Sequence, residues 1–179
     1  MPKILSLFFL GLLALFSTAC MTVTPPTNST NTPPSSTPTS LETQLEQQLF
    51  NLINSDRAKN GLPAYTRNTT LDSGARQHSI KMSQCGLSHQ CPGEPAPCDR
   101  VTQEGVTWNY CGENVGEYGP VNASTAWNGV QALETAMLNE KPPDDGHRRN
   151  LLSTNFHHIG IGIYIDAKGT LWLTEDFTN

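Results

Sequence analysis

Ile159-Gly160-Ile161-Gly162-Ile163-Tyr164-Ile165 alternates a branched apolar residue with glycine or tyrosine. A period of two predicts a β-strand with one solid apolar face. Asp166-Ala167-Lys168-Gly169 then turns the chain, and Leu171 to Phe177 reads as the returning strand of a hairpin. Glycine at 160 and 162 strips side chains from the other face, so a helix is expected to pack against the strand backbone there.

Upstream of the hairpin the period becomes helical. Leu41, Leu45, Leu49, Leu52 and Ile53 form an apolar stripe, opened by a capping-box pair, Thr39 and Glu42, and stopped by Asn60-Gly61 and Pro63. A second helix opens at Thr70 and sets Leu71, Ala75, His78 and Met82 on one face. His78 reads as a hydrogen-bonded core histidine with no visible carboxylate partner. Ser124 to Leu138 reads as a third helix, and Asp144 or Asp145 as the cap of a short fourth running through His147, Asn150 and Leu152. Trp108 and Trp172 are read as anchors in loop or core. Helices on a small, mainly antiparallel sheet make the class α+β.

Residues 1–19 carry one charge, Lys3, then an apolar run from Ile4 to Phe16 and the small residues Ser17-Thr18-Ala19 before Cys20. This is the pattern of a secretory signal. The run is shorter than the roughly 20 residues that span a bilayer. Cys20 reads as the acylated residue of a bacterial lipoprotein, although Ser17 stands where a branched apolar residue is usual. Residues 20–40 then form a Thr, Pro, Ser and Asn linker without charge, expected to be a disordered tether. Residues 41–179 are the size of one domain with a core of its own. Three Asn-x-Ser/Thr matches, at Asn28, Asn68 and Asn122, are read as chance matches, since the Cys20 reading implies a bacterial cell.

Loss of Lys3 with the signal moves the net charge from −5 to −6. Arg148-Arg149 is a pair and not a basic patch, so nucleic acid is excluded as a partner.

Beyond Cys20, the cysteines are Cys85, Cys91, Cys98 and Cys111, an even set in an exported chain. Two disulfides are expected. A four-thiolate zinc site is disfavoured by the absence of Cys-x-x-Cys spacing. Of three possible connectivities, Cys85 with Cys91 and Cys98 with Cys111 is preferred, because each closes a short loop containing helix-breaking Pro or Gly. The first bridge would hold His89 in a covalent ring, and such a bond typically contributes about 2–4 kcal/mol.

Three separated motifs carry the chemistry: Ser88-His89, Gly112-Glu113-Asn114 and Gly146-His147-Arg148. With Glu140 they offer two imidazoles and two carboxylates, the ligand chemistry of a divalent cation such as zinc. Ser79 and Ser88 adjoin histidines, but neighbours in sequence rarely form a nucleophilic dyad.

These pieces, in this order, resemble the CAP superfamily of cysteine-rich secretory, antigen five and pathogenesis-related-one proteins, in its bacterial SCP-like branch. The carriers are Asn60-Gly61-Leu62, Ala75-Arg76-Gln77-His78-Ser79 with Met82, Leu87-Ser88-His89, Gly112-Glu113-Asn114-Val115, Gly146-His147-Arg148-Arg149-Asn150-Leu151-Leu152 and Thr174-Glu175-Asp176-Phe177. The resemblance implies an α-β-α sandwich over residues 41–179. It also implies a cleft in which His89, Glu113, Glu140 and His147 hold a divalent cation. Met137 stands where the family often has Trp three residues before the Glu, and Asp144 or Asp145 is the substitute should Glu140 face away.

The function expected is an exported or surface-anchored, non-enzymatic binding or envelope module. Its partner would be an extracellular ligand of cell-wall, peptide or lipid character, with the membrane reached through the lipid anchor alone. The alternative is a metal-dependent hydrolase with Glu113 as general base. Against it, four protein ligands would close a tetrahedral ion to water, and the His-Glu-x-x-His signature is missing. A lipid or sterol module is the third reading, and the chain offers it no recognisable apolar lid.

Overall fold

The computed structural model describes residues 40–179. The signal segment, Cys20, the linker and Thr39 lie outside the described residues.

The elements follow as α1 (Leu41–Lys59), β1 (Thr66–Arg67), α2 (Thr69–Cys85), α3 (Pro97–Gln103), β2 (Cys111–Tyr118), α4 (Ala126–Leu138), α5 (Gly146–Leu151), β3 (His158–Ile165) and β4 (Leu171–Thr178). The sheet order is β1-β3-β4-β2, antiparallel except for the short β1–β3 pair. This is the α-β-α sandwich of the α+β class, with α2 on one face and α1 and α4 on the other.

Side-chain alternation explains the layers. Ile159, Ile161 and Ile163 of β3 and Leu171, Leu173 and Phe177 of β4 point to the α1/α4 side and pack with Leu45, Leu49, Ile53, Val130 and Met137. On the other side α2 rides on bare backbone. A Cβ on Gly160 would stand 2.2 Å from Leu71 Cβ, and one on Gly162 only 2.1 Å from the Arg76 amide nitrogen. Two Cβ atoms would therefore push α2 off the sheet.

Helix ends follow local chemistry. The Ser40 hydroxyl caps α1 by accepting from the Thr43 amide at 3.2 Å, while Thr39 of the expected capping box lies outside the described residues. At its C-terminus Gly61 takes φ 73°, and the Gly61 and Leu62 amides return to the carbonyls of Ala58 and Arg57. This Schellman closure explains why Asn60-Gly61 reads as a stop. α2 is capped two residues earlier than Thr70 suggests, by Asn68 Oδ1 accepting from the amides of Thr70 and Leu71. α4 starts at Ala126 because Asn122 Oδ1 already holds the Ser124 amide in a turn.

Two elements escape the periodicity reading. α3 begins at Pro97, which acts here as a first-turn residue and not as a loop breaker. β2 is hidden by its polar and glycine content; a Cβ on Gly112 would stand 2.9 Å from the Phe156 ring, and one on Gly116 3.0 Å from the Met137 methyl. Both expected disulfides form: Cys85–Cys91 links the end of α2 to the following loop, and Cys98–Cys111 ties α3 to β2.

Candidate functional site

His89, Glu113, Glu140 and His147 line one cleft of 510 Å³, with Asp144, Gly146, Arg149 and Asn150. It opens at β2, the edge strand. Glu113 lies opposite Asp176 on the α2 side of the sheet, and Asn114, the next residue, points to the α1/α4 side. The cleft thus takes its walls from both sides of one strand.

On the α2 side, His89 Nδ1 meets Glu113 Oε1 at 2.7 Å. The Glu113 side chain is only 1% exposed, and its other oxygen accepts from Arg100 Nη2. Arg100 also donates to the carbonyls of His89 and Pro95, tying the ring between Cys85 and Cys91 to α3. The hydrogen bond to Glu113 raises the His89 pKa above its ordinary value, overcoming the opposing effects of burial and of Arg100. Burial, then the Glu113 charge, pushes the Asp176 carboxyl well above the carboxylate range.

On the other side, Glu140 is bound to the start of α5. Its Oε2 accepts from the amides of His147 at 2.9 Å and Arg148 at 3.3 Å, and its Oε1 meets His147 Nδ1 at 2.5 Å. Asp145, expected as the cap of α5, makes no capping bond and pairs with Arg149 at 3.1 Å. Glu140 takes over that role from the loop before it, satisfying two of the free amides of the first turn. Burial pushes the Glu140 carboxyl up, but the bonds from the His147 ring and the two amides outweigh it and hold it below its usual range.

Asn114 and Asn150 join the halves. Asn150 Nδ2 donates to the Glu113 carbonyl and to Asn114 Oδ1, and Asn114 Nδ2 donates to the His147 carbonyl and to Glu175 Oε2. Burial raises Glu175 to about 7, although Asn114 pulls it down. Burial, then Glu175 and Asp56, raises Glu134 on α4 to about 9. Both Glu134 oxygens lack a hydrogen-bond partner among the described residues, which disfavours the charged form.

Each imidazole therefore spends Nδ1 on a carboxylate, and neither Nε2 has a hydrogen-bond partner among the described residues. The compact set of three ligand atoms within 4.8 Å lies elsewhere, at His78, Cys91 and Glu94. His78 is a core histidine as expected, but it does have a carboxylate partner. Glu94 Oε2 reaches its Nδ1 at 3.0 Å from the turn after Cys91, a contact that helix periodicity cannot display. Arg100, Asn114, Asn150 and Glu94 are the site residues that sequence reasoning missed. Asn114 and Asn150 lay inside quoted motifs, whereas Arg100 and Glu94 had no local signal.

A roomier groove of 760 Å³ between α1 and α2 shares no lining residue with the cleft. Arg67 and Arg76 in its wall are paired with Glu46, and Arg67 also with Asp72. Trp108 is partly exposed, its indole donating to Thr102, and Trp172 is buried. No helix among the described residues is long and apolar enough to cross a membrane.

Comparisons with known proteins agree with this architecture. The chain is 32% identical over 154 residues to the uncharacterized protein YkwD of Bacillus subtilis (strain 168), covering 84% of this chain and 51% of that protein. A crystal structure of an extracellular protein containing a SCP domain, from Bacillus anthracis str. Ames, superposes with a TM-score of 0.65 at 27% identity, over 77% of this chain and 41% of that one. An outer surface protein of Borrelia burgdorferi shares the fold, with a TM-score of 0.62 at 19% identity over 76% of this chain and 92% of its own. The present chain thus spans about half the length of its Bacillus relatives. Residues 50–177, which hold both disulfides and all four cleft residues, match the sequence model of the Cysteine-rich secretory protein family. The chain belongs to that family, CAP.

Proposed function

We propose that the chain is an exported binding module of the bacterial envelope whose cleft holds a divalent cation, zinc by donor type, through His89 and His147. The observation that carries this reading is the common wiring of the two imidazoles, each with Nδ1 on a carboxylate and Nε2 left without a partner. A carboxylate on Nδ1 fixes the tautomer and leaves the Nε2 lone pair for a metal, the usual preparation of a ligating histidine. In this arrangement Glu113 and Glu140 orient the ligands and do not themselves ligate. Two imidazoles leave coordination positions to a donor from outside.

Binding is favoured over hydrolysis by the state of Glu113. A general base needs an oxygen within hydrogen-bond reach of water, and both Glu113 oxygens are committed, to His89 and Arg100. The roomier groove does not support a lipid module, because charged pairs stand in its wall. An exported address is supported by residues 1–20 and by the extracellular and outer-surface descriptions of two structural relatives.

Calorimetric zinc titration tests the reading. One equivalent is expected, lost in His89→Ala and in His147→Ala, and weakened about tenfold or more in Glu140→Gln. Affinity should fall as pH drops through the raised pKa of His89, because a protonated imidazole cannot ligate. Unchanged heats in His147→Ala overturn the assignment. Zymography on peptidoglycan and casein should show no clearing; clearing abolished by Glu113→Gln would establish the hydrolase instead.

A further inference from the structure

We propose that reduction of the Cys85–Cys91 disulfide opens a second divalent-cation site, formed by His78, Cys91 and Glu94 and suited to zinc. A ring nitrogen of His78, the Cys91 sulfur and a Glu94 oxygen already lie within 4.8 Å of one another. Nitrogen, thiolate and carboxylate together are a zinc donor set, and a thiolate is the donor that the oxidised protein withholds.

The framework of this site does not depend on the sulfur–sulfur bond. Cys91 is 3% exposed and packs with Met82, Val115 and Trp172, so apolar contact keeps it in place. Its amide donates to Glu94 Oε2 at 3.1 Å, and the Glu94 amide returns to the Cys91 carbonyl at 3.0 Å. His78 is fixed from its far side, where Nε2 lies 2.9 Å from the Ser88 carbonyl. A carbonyl only accepts, so Nε2 donates to it; Nδ1 is the nitrogen turned to Glu94, whose carboxylate also only accepts, and a metal at Nδ1 takes the place of the hydrogen between them.

The two sulfurs differ in access. Cys85 is exposed and Cys91 buried. A thiolate of a dithiol reductant attacks the Cys85 sulfur, the disulfide breaks, and the electron pair leaves on Cys91 as thiolate. The reductant's second thiol, as its thiolate, then displaces Cys85, which also leaves as thiolate. The dithiol becomes a cyclic disulfide, and the protein has gained two electrons. Cys91 is thus released in its ligating form beside His78 and Glu94.

The same step unties the ring that carries His89. Glu113 stands between the two centres, 2.7 Å from His89 Nδ1 and 3.9 Å from His78 Nε2. Reduction therefore weakens the preorganisation of the cleft while completing the inner site.

The test uses the full chain with His89→Ala and His147→Ala to silence the cleft and Cys20→Ala to remove the remaining thiol. Adding Cys85→Ser leaves Cys91 free with Cys98–Cys111 intact and needs no reductant. One equivalent of Co²⁺ should then bind with a thiolate-to-cobalt charge-transfer band in the near ultraviolet. Zn²⁺ should displace it, and Glu94→Gln should weaken binding about tenfold or more. The parent with Cys85 present should show the band only after a phosphine reductant is added. Absence of the band in both the Cys85→Ser chain and the reduced parent overturns the proposal. So does a band indifferent to both Glu94→Gln and His78→Gln.

Discussion

Glu113 reaches His89 from 24 residues away and is 1% exposed, whereas Glu140 reaches His147 across 7 residues with 23% of its side chain still open to water. The first pair is made by tertiary structure, since α3, β2 and a disulfide ring must all be in place before it exists. The second is made by one loop and the first turn of α5. One cleft is thus held by two supports of different cost, and their failure modes should differ.

Arg100→Ala should break the first support with the largest effect. Removing one partner of a buried ion pair typically costs about 3–5 kcal/mol, measurable by urea denaturation. A loss below 1 kcal/mol would mean that Glu113 does not rely on Arg100. Asn150→Ala cuts the joint between the halves and should cost about 1–3 kcal/mol, the usual penalty for unsatisfied buried groups. Hydrogen exchange should quicken in α5 and in the first half of β2 together; faster exchange in α5 alone would show that the halves are not joined there. Glu140→Ala should cost about 1 kcal/mol, the scale of a helix cap, and leave the His89 side unchanged.

The smallest effect, and the sharpest separator of the two pairs, is their opposite response to pH. His89 has a raised pKa, so its contribution is full below the ordinary imidazole value and is lost as pH rises through the folded value. Glu140 has a lowered pKa, so its contribution is full above the ordinary carboxylate range and is lost as pH falls through the folded value. Imidazole resonances followed by NMR should place the His89 titration above that of a free imidazole and return it toward the ordinary value in Glu113→Gln. The acid limb of stability should flatten in Glu140→Gln.

What the sequence displayed follows the same division. The hairpin, the stripe of α1, the bare face at Gly160 and Gly162 and both disulfides were legible because each is a short-range pattern. So was the Glu140–His147 spacing. β2 was not, since its inward positions are filled by glycine and by polar groups that pay their burial through partners far along the chain. Arg100 gave no signal at all: its role is defined by three acceptors that only the fold assembles. His78 was assigned correctly to the core while its carboxylate went unseen, because Glu94 is delivered by a turn and not by the helix. The α5 cap was misplaced for a related reason. Asp145 had the right position, but Glu140 had the reach.

The edges of the sheet carry a further consequence. β1 is two residues long, and at the opposite border the Glu113 carbonyl is taken by Asn150 while α3 and α5 pack against the strand. Unpaired borders of this kind ordinarily recruit another chain, leading to aggregation or to strand addition by a peptide. One border here is too short to be copied, and the other is blunted where it meets the cleft. At the cleft, a visiting strand could not extend the sheet through the Glu113 carbonyl.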